Sequence, residues 1–141
     1  MSASLRNSIF VMLGILFLSL NLRGPFTSLA PVLSQVMEGL NLNSSAAGFL
    51  TALPLLTFAL FSPLVTKISQ RIGLEPSLLL ALVLITTGIT LRSFGIIPTL
   101  YIGTVMIGMG IAIGNVLLPV VVKISFPTRI ATVTSLYIFT M

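Results

Sequence analysis

Two stretches of the chain carry no charge at all: residues 39–66, 28 positions, and residues 93–122, 30 positions. A helix needs roughly 20 apolar residues to cross the hydrocarbon core of a bilayer, and both stretches exceed that. In lipid every backbone N–H and C=O must be paired inside the protein, so only helices and closed barrels span. A barrel would alternate polar and apolar residues in segments of about ten, and residues 9–18 and 78–85 do not alternate. The expected fold is all-α, a polytopic membrane helical bundle. Composition agrees: 6% of the 141 residues are charged, against about 25% in soluble domains, too few to coat a water-soluble surface.

The same scarcity removes most chemistry. The chain has no Cys and no His, and its two carboxylates are Glu38 and Glu75. Metal sites built from His, Cys and carboxylates lack their parts, as do His-based triads. An enzyme is therefore not expected, nor a metal or other cofactor. The seven Lys and Arg residues are scattered and form no nucleic-acid patch. The expected partners are the lipid bilayer and a small-molecule substrate.

Charges, prolines and glycines divide the chain into helices at about 8–36, 45–66, 77–95, 98–122 and 130–141. Arg6 followed by apolar residues 9–18 resembles a signal peptide, but no small-x-small cleavage site follows and further spans come after it. The first helix is expected to hold Arg23 inside it and to bend at Pro25 and Pro31. Asn43 or Ser44 is the expected N-cap of the second helix, which contains Pro54 and Pro63. Lys67, Arg71, Gly73, Glu75 and Pro76 are read as a loop. Gly95 and Pro98 mark a short turn, and residues 123–129 a further loop. The last segment stops 12 residues in, short of a span. The expectation is that residues 1–141 are an incomplete N-terminal bundle lacking C-terminal helices of the same protein.

Basic residues favour the cytoplasmic side. With the N-terminus inside, Arg6, Lys67, Arg71, Lys123 and Arg129 all fall there, and the outer turns hold only Glu38. The expected topology is multi-pass with a cytoplasmic N-terminus.

Arg23 is the strongest functional signal. An Arg at a helix centre costs about 2.5–3.5 kcal/mol on insertion scales, stays charged, and presents a planar fork of donors suited to anions. Ser19, Arg23 and Thr27 recur at i, i+4 and i+8 and share a face, with Asn21, Gly24 and Ser28 beside it. This stripe reads as contacting an anionic or strongly polar solute, or as a structural pairing with an acid elsewhere. Arg92 falls near the outer interface, where it snorkels to headgroups. In the fourth helix Gly110 and Gly114 form a small-xxx-small packing pair. Gly108, Ala112, Asn115 and Pro119 line another face, with Asn115 either lining a pocket or bonding a neighbouring helix. Thr51 and Thr57 of the second helix are weaker pathway positions, since such hydroxyls commonly bond their own backbone.

The loop at Lys67-Ile68-Ser69-Gln70-Arg71-Ile72-Gly73 resembles the tail of the Gly-x-x-x-Asp-Arg-x-Gly motif of the major facilitator superfamily. Thr66 stands at its leading Gly and Gln70 at its Asp. A closer resemblance is to the cyanate and 2-nitroimidazole transporter family. It is carried by Asn21-Leu22-Arg23 with Thr27-Ser28 and Ala30-Pro31, by Gly48-Phe49-Leu50-Thr51-Ala52-Leu53-Pro54, by Arg71-Ile72-Gly73-Leu74-Glu75, and by Gly110-Ile111-Ala112-Ile113-Gly114-Asn115-Val116-Leu117-Leu118-Pro119 with Lys123 and Phe126-Pro127. Gly24 departs from it, since many relatives place Pro directly after the Arg.

The resemblance implies a secondary active transporter of the inner membrane, of which this chain supplies helices one to four and part of five. It further implies that helices one and four face a central cavity where alternating access operates. On that reading Arg23, Asn21, Ser19, Thr27, Asn115 and Thr51 contact a small anionic or polar solute, cyanate-like or nitroimidazole-like. Lys67, Arg71 and Gly73 form the cytoplasmic motif. Two other readings stay open: a truncated stub that transports nothing, and a complete small four-helix exporter. The exporter lacks the membrane-embedded Glu such carriers need.

Overall fold

The computed structural model describes residues 2–27 and 30–140; side chains are described from residue 7 onward, apart from 25 and 26. The described residues form six α-helices and no strand. They are α1 (Ser2–Thr27), α2 (Leu33–Leu40), α3 (Ser44–Ile72), α4 (Leu74–Arg92), α5 (Ile97–Ser125) and α6 (Ile130–Thr140), with a 3-10 turn at Ala30–Val32 before α2. Four helical segments are long and apolar enough to cross a membrane: Asn7–Gly24, Ser44–Ile72, Leu74–Arg92 and Ile97–Ser125.

The first helix is not continuous over 8–36. α1 runs past position 25 to Thr27, and a 3-10 turn at Ala30–Val32, containing Pro31, precedes α2. Pro31 has no N–H for an i−4 carbonyl, so the α-helical ladder cannot run through it unbroken. Pro25 sits nearer the end of α1 and does not stop it. Ser28, placed beside the polar stripe, lies outside the described residues.

The second and fourth helices run further than their apolar stretches. α3 continues through Lys67 and Arg71 to Ile72, so the expected loop is almost wholly helical. α5 likewise takes in Lys123. Lys, Gln and Arg are good helix formers; charge marks where the apolar stretch ends, not where the helix does. Gly73 makes the break between α3 and α4, at φ 94° and ψ 170°, a conformation that is essentially glycine-only and costs other residues about 1–3 kcal/mol. Asn43 is the N-cap of α3, its Oδ1 accepting from the Ala46 N–H at 2.8 Å. α2 ends on Asn41 in the left-handed region, φ 52°, and the Leu42 N–H reaches the Met37 carbonyl at 2.9 Å.

α5 is the hub. In its membrane-length window 56% of residues are buried inside the protein, against 17–22% for the other three. Membrane helices pack chiefly through van der Waals contact, so small residues set how closely backbones approach. A Cβ on Gly103 would lie 2.5 Å from the Gly88 carbonyl oxygen of α4, and one on Gly110 would lie 2.7 Å from that of Ala81. A Cβ on Gly108 would face α3, 3.1 Å from Pro54 Cα, and one on Gly114 would meet Leu22 of α1. The pair Gly110 and Gly114 therefore receives two different helices.

These contacts also fix direction. Gly88 with Gly103, then Ala81 with Gly110, make α4 antiparallel to α5. The Tyr101 hydroxyl donates to the Ala46 carbonyl at 3.2 Å, and Gly108 meets Pro54, so α3 runs parallel to α5. Leu22 lies against Gly114, while Asn7 and Ser8 share a pocket with Ser125 and Phe126; α1 is antiparallel. Lys67, Arg71, Lys123 and Arg129 gather at one end of the bundle, and Arg92 ends α4 at the other. There Arg92 is half-buried, its Cγ close to Gly103.

Candidate functional site

Leu22 is fully buried, seated on Gly114. Only a glycine on α5 leaves room for it, so this contact sets where α1 crosses α5. Gly114 lies about 26 Å from the Ile97 end of α5 and about 17 Å from the Ser125 end, at about 1.5 Å per residue. The crossing is thus well inside the bundle, and it carries Arg23 and Asn115 as the next residue on each helix.

Successive residues on an α-helix turn by about 100°. Because α1 and α5 run in opposite directions, the step from Leu22 to Arg23 and the step from Gly114 to Asn115 turn to the same side of the crossing. The step back from Leu22 to Asn21 turns to the other side. Asn21 indeed lines a groove of about 460 Å³ there, with Val11, Leu18, Leu78 and Leu82 among the other walls. Arg23 and Asn115 do not line that groove. One face of the crossing is therefore apolar apart from Asn21, and the opposite face carries a guanidinium and a carboxamide.

The stripe of Ser19, Arg23 and Thr27 is not a single solvent-facing surface. Ser19 is fully buried, and its hydroxyl donates to the Leu16 carbonyl at 2.8 Å. Thr27 is exposed and donates to the Arg23 and Gly24 carbonyls at 3.3 and 3.2 Å. Thr51 is exposed and donates to the Gly48 carbonyl at 2.8 Å. Thr57 is buried, donates to the Leu53 carbonyl at 2.8 Å, and packs against Gly108. These hydroxyls satisfy themselves within their own turn, as short hydroxyl side chains do. The two larger polar groups differ in exposure: Arg23 is exposed, and Asn115 is half-buried.

What the residue pattern did not reveal is the 3-10 turn at Ala30–Val32 between α1 and α2. Pro31 was the available signal, but a proline bends some membrane helices and divides others. Among the described residues no cluster of His, Cys, Asp or Glu could hold a metal ion.

No family model matches the sequence, and no solved structure matches it. Curated proteins do. The uncharacterized transporter YycB of Bacillus subtilis (strain 168) is 47% identical over 134 residues, 95% of this chain and 33% of the relative. The 2-nitroimidazole transporter of Escherichia coli (strain K12) is 45% identical over 140 residues, 99% of this chain and 36% of the relative. The cyanate transport protein CynX of the same strain is 28% identical over 128 residues, 90% and 33% respectively. The chain is homologous to these transporters along nearly its whole length and spans about a third of theirs.

Proposed function

We propose, from the chain's place among cyanate and 2-nitroimidazole transporters of the major facilitator superfamily, that it forms the N-terminal part of a secondary active transporter for a small anionic or polar solute. The observation that carries this is the crossing of α1 and α5, which presents Arg23 and Asn115 on one side, on a first span that passes through a 3-10 turn at Ala30–Val32. Transporters place solute sites where membrane helices are discontinuous, because irregular backbone is tolerated only where it lines a cavity or is buried in protein. Arg23 holds the acceptor atoms of the solute through its fork of N–H groups. The remaining helices of the carrier supply the second wall, against which this bundle rocks. Thr51 and Thr27 have a smaller part, as their hydroxyls are engaged with their own helices.

The proposal includes orientation in a cell's inner membrane. Lys67, Arg71, Lys123 and Arg129 share one end of the bundle, and the bias of basic residues toward the inside supports a cytoplasmic position for that end and the N-terminus. A single cysteine replacing Thr128 in the full-length protein should react with a membrane-impermeant maleimide only after cells are opened. Labelling of intact cells would reverse the topology.

The functional test is solute movement by the purified full-length carrier in liposomes, with cyanate and 2-nitroimidazole as probes. Uptake of at least one above protein-free liposomes is expected. Movement of neither, by protein shown to be folded, would remove the reading.

A further inference from the structure

Asn115 brings two hydrogen-bonding groups available to a solute to one position. The residue is half-buried, and its side-chain amide, which has no hydrogen-bond partner among the described residues, reaches the surface of the bundle. Four residues further along α5 stands Pro119, which has no N–H to give to the Asn115 carbonyl. The buried hydroxyls of Ser19, Thr57 and Thr104 all return to a carbonyl of their own helix, so residue 115 stands apart. Residue 115 thus offers the two N–H donors and the oxygen of a carboxamide, together with a backbone carbonyl that can only accept. It does so on the same side of the α1–α5 crossing as Arg23, which can only donate.

We infer that Asn115 is the specificity-determining residue of this site, and that the site selects small planar solutes carrying both an acceptor end and an N–H donor. This rests on the transport reading above. Arg23 takes the acceptor end, and the Oδ1 atom and freed carbonyl of residue 115 take the N–H. The carboxamide can turn to offer its NH2 instead, but the backbone carbonyl cannot. A solute with acceptors only therefore leaves that carbonyl unpaired when water is expelled. A site built to bond a donor group rejects analogues that lack it far more strongly than an apolar pocket rejects a change of size. An azole with an N–H and a nitro group fits; a simple linear anion fills only the Arg23 half.

The experiment uses the full-length carrier in liposomes, with 2-nitroimidazole and its N-methyl derivative, which keeps the nitro group and lacks the N–H. The unsubstituted compound is expected to be taken up with roughly 10–100-fold higher apparent affinity, the range of one lost buried hydrogen bond. Asn115→Leu should narrow that ratio several-fold, chiefly by weakening uptake of the parent compound. Pro119→Ala restores an N–H to the Asn115 carbonyl without touching the side chain, and should narrow the ratio as well. It also serves if the leucine variant does not fold. A carrier that handles the two compounds alike overturns the inference, as does an Asn115→Leu variant that loses both equally and keeps the ratio. Failure to transport either compound would instead sink the transport reading itself.

Discussion

In the full-length carrier, Arg23→Ala should weaken solute uptake by roughly 10–150-fold in apparent affinity, while the protein still inserts and folds. The magnitude follows from the roughly 1.5–3 kcal/mol that a hydrogen bond to a charged group contributes. The structural argument is that Arg23 is exposed beside the α1–α5 contact, whereas Leu22 and Gly114 make that contact. Removing the guanidinium therefore takes away charge and donors without opening the core. Arg23→Lys keeps the charge but loses the planar fork, and should recover uptake only in part. Arg92→Ala, at the far end of α4, should do less. Uptake assays on the purified variants, normalised to folded protein on size exclusion, decide between the roles. A variant that folds normally and transports normally would refute the clamp. One that fails to fold would assign Arg23 a structural partner instead.

The second large effect concerns the α4–α5 seam. Gly88→Ala and Gly103→Ala should each destabilise the carrier by about 1–3 kcal/mol, the usual cost of overpacking a close contact. A Cβ on Gly88 would sit 2.6 Å from the Gly103 carbonyl oxygen, and one on Gly103 would sit 2.9 Å from Arg92 Cγ and 3.2 Å from its backbone N. Backbone atoms cannot swing aside as a side chain can, so the two helices must separate. Gly39→Ala is the matched control: a Cβ there would have nothing within 4 Å, and the change should stay within about 0.5 kcal/mol. Thermal unfolding of the purified full-length proteins, followed by loss of the monodisperse peak, reads both. Equal stability of all three variants would mean that the seam does not hold the helices at the distance seen.

The helical type and the four membrane-length segments were legible in the residues because bilayer crossing imposes a length and an absence of charge, and both can be read position by position. The N-cap at Asn43 and the turn at Gly95 were legible for a similarly local reason: each depends on one residue's own bonding or backbone freedom. Helix ends were misplaced where charge and structure part company. Lys67, Arg71 and Lys123 leave the apolar stretch but not the helix, because their side chains favour helix and the N–H···O ladder needs no lipid to continue.

The candidate site was legible only as a set of residue types. Arg23, Asn21 and Asn115 stand out as polar groups in apolar helices, and a periodicity argument joins Ser19, Arg23 and Thr27. Sequence spacing along one helix cannot reveal which neighbour each face meets. That depends on Gly114 admitting Leu22 and on α1 and α5 running antiparallel. Those two facts turn Asn21 toward α4 and put Arg23 on the same side of the crossing as Asn115.

That the chain is helical and made for a membrane follows from its residues alone, since the solvent requirement acts on every residue separately. Which polar residues share a side of the bundle follows from the packing of the helices. That is a property of contacts between segments some 90 residues apart, set by where a glycine on one helix lets another come close.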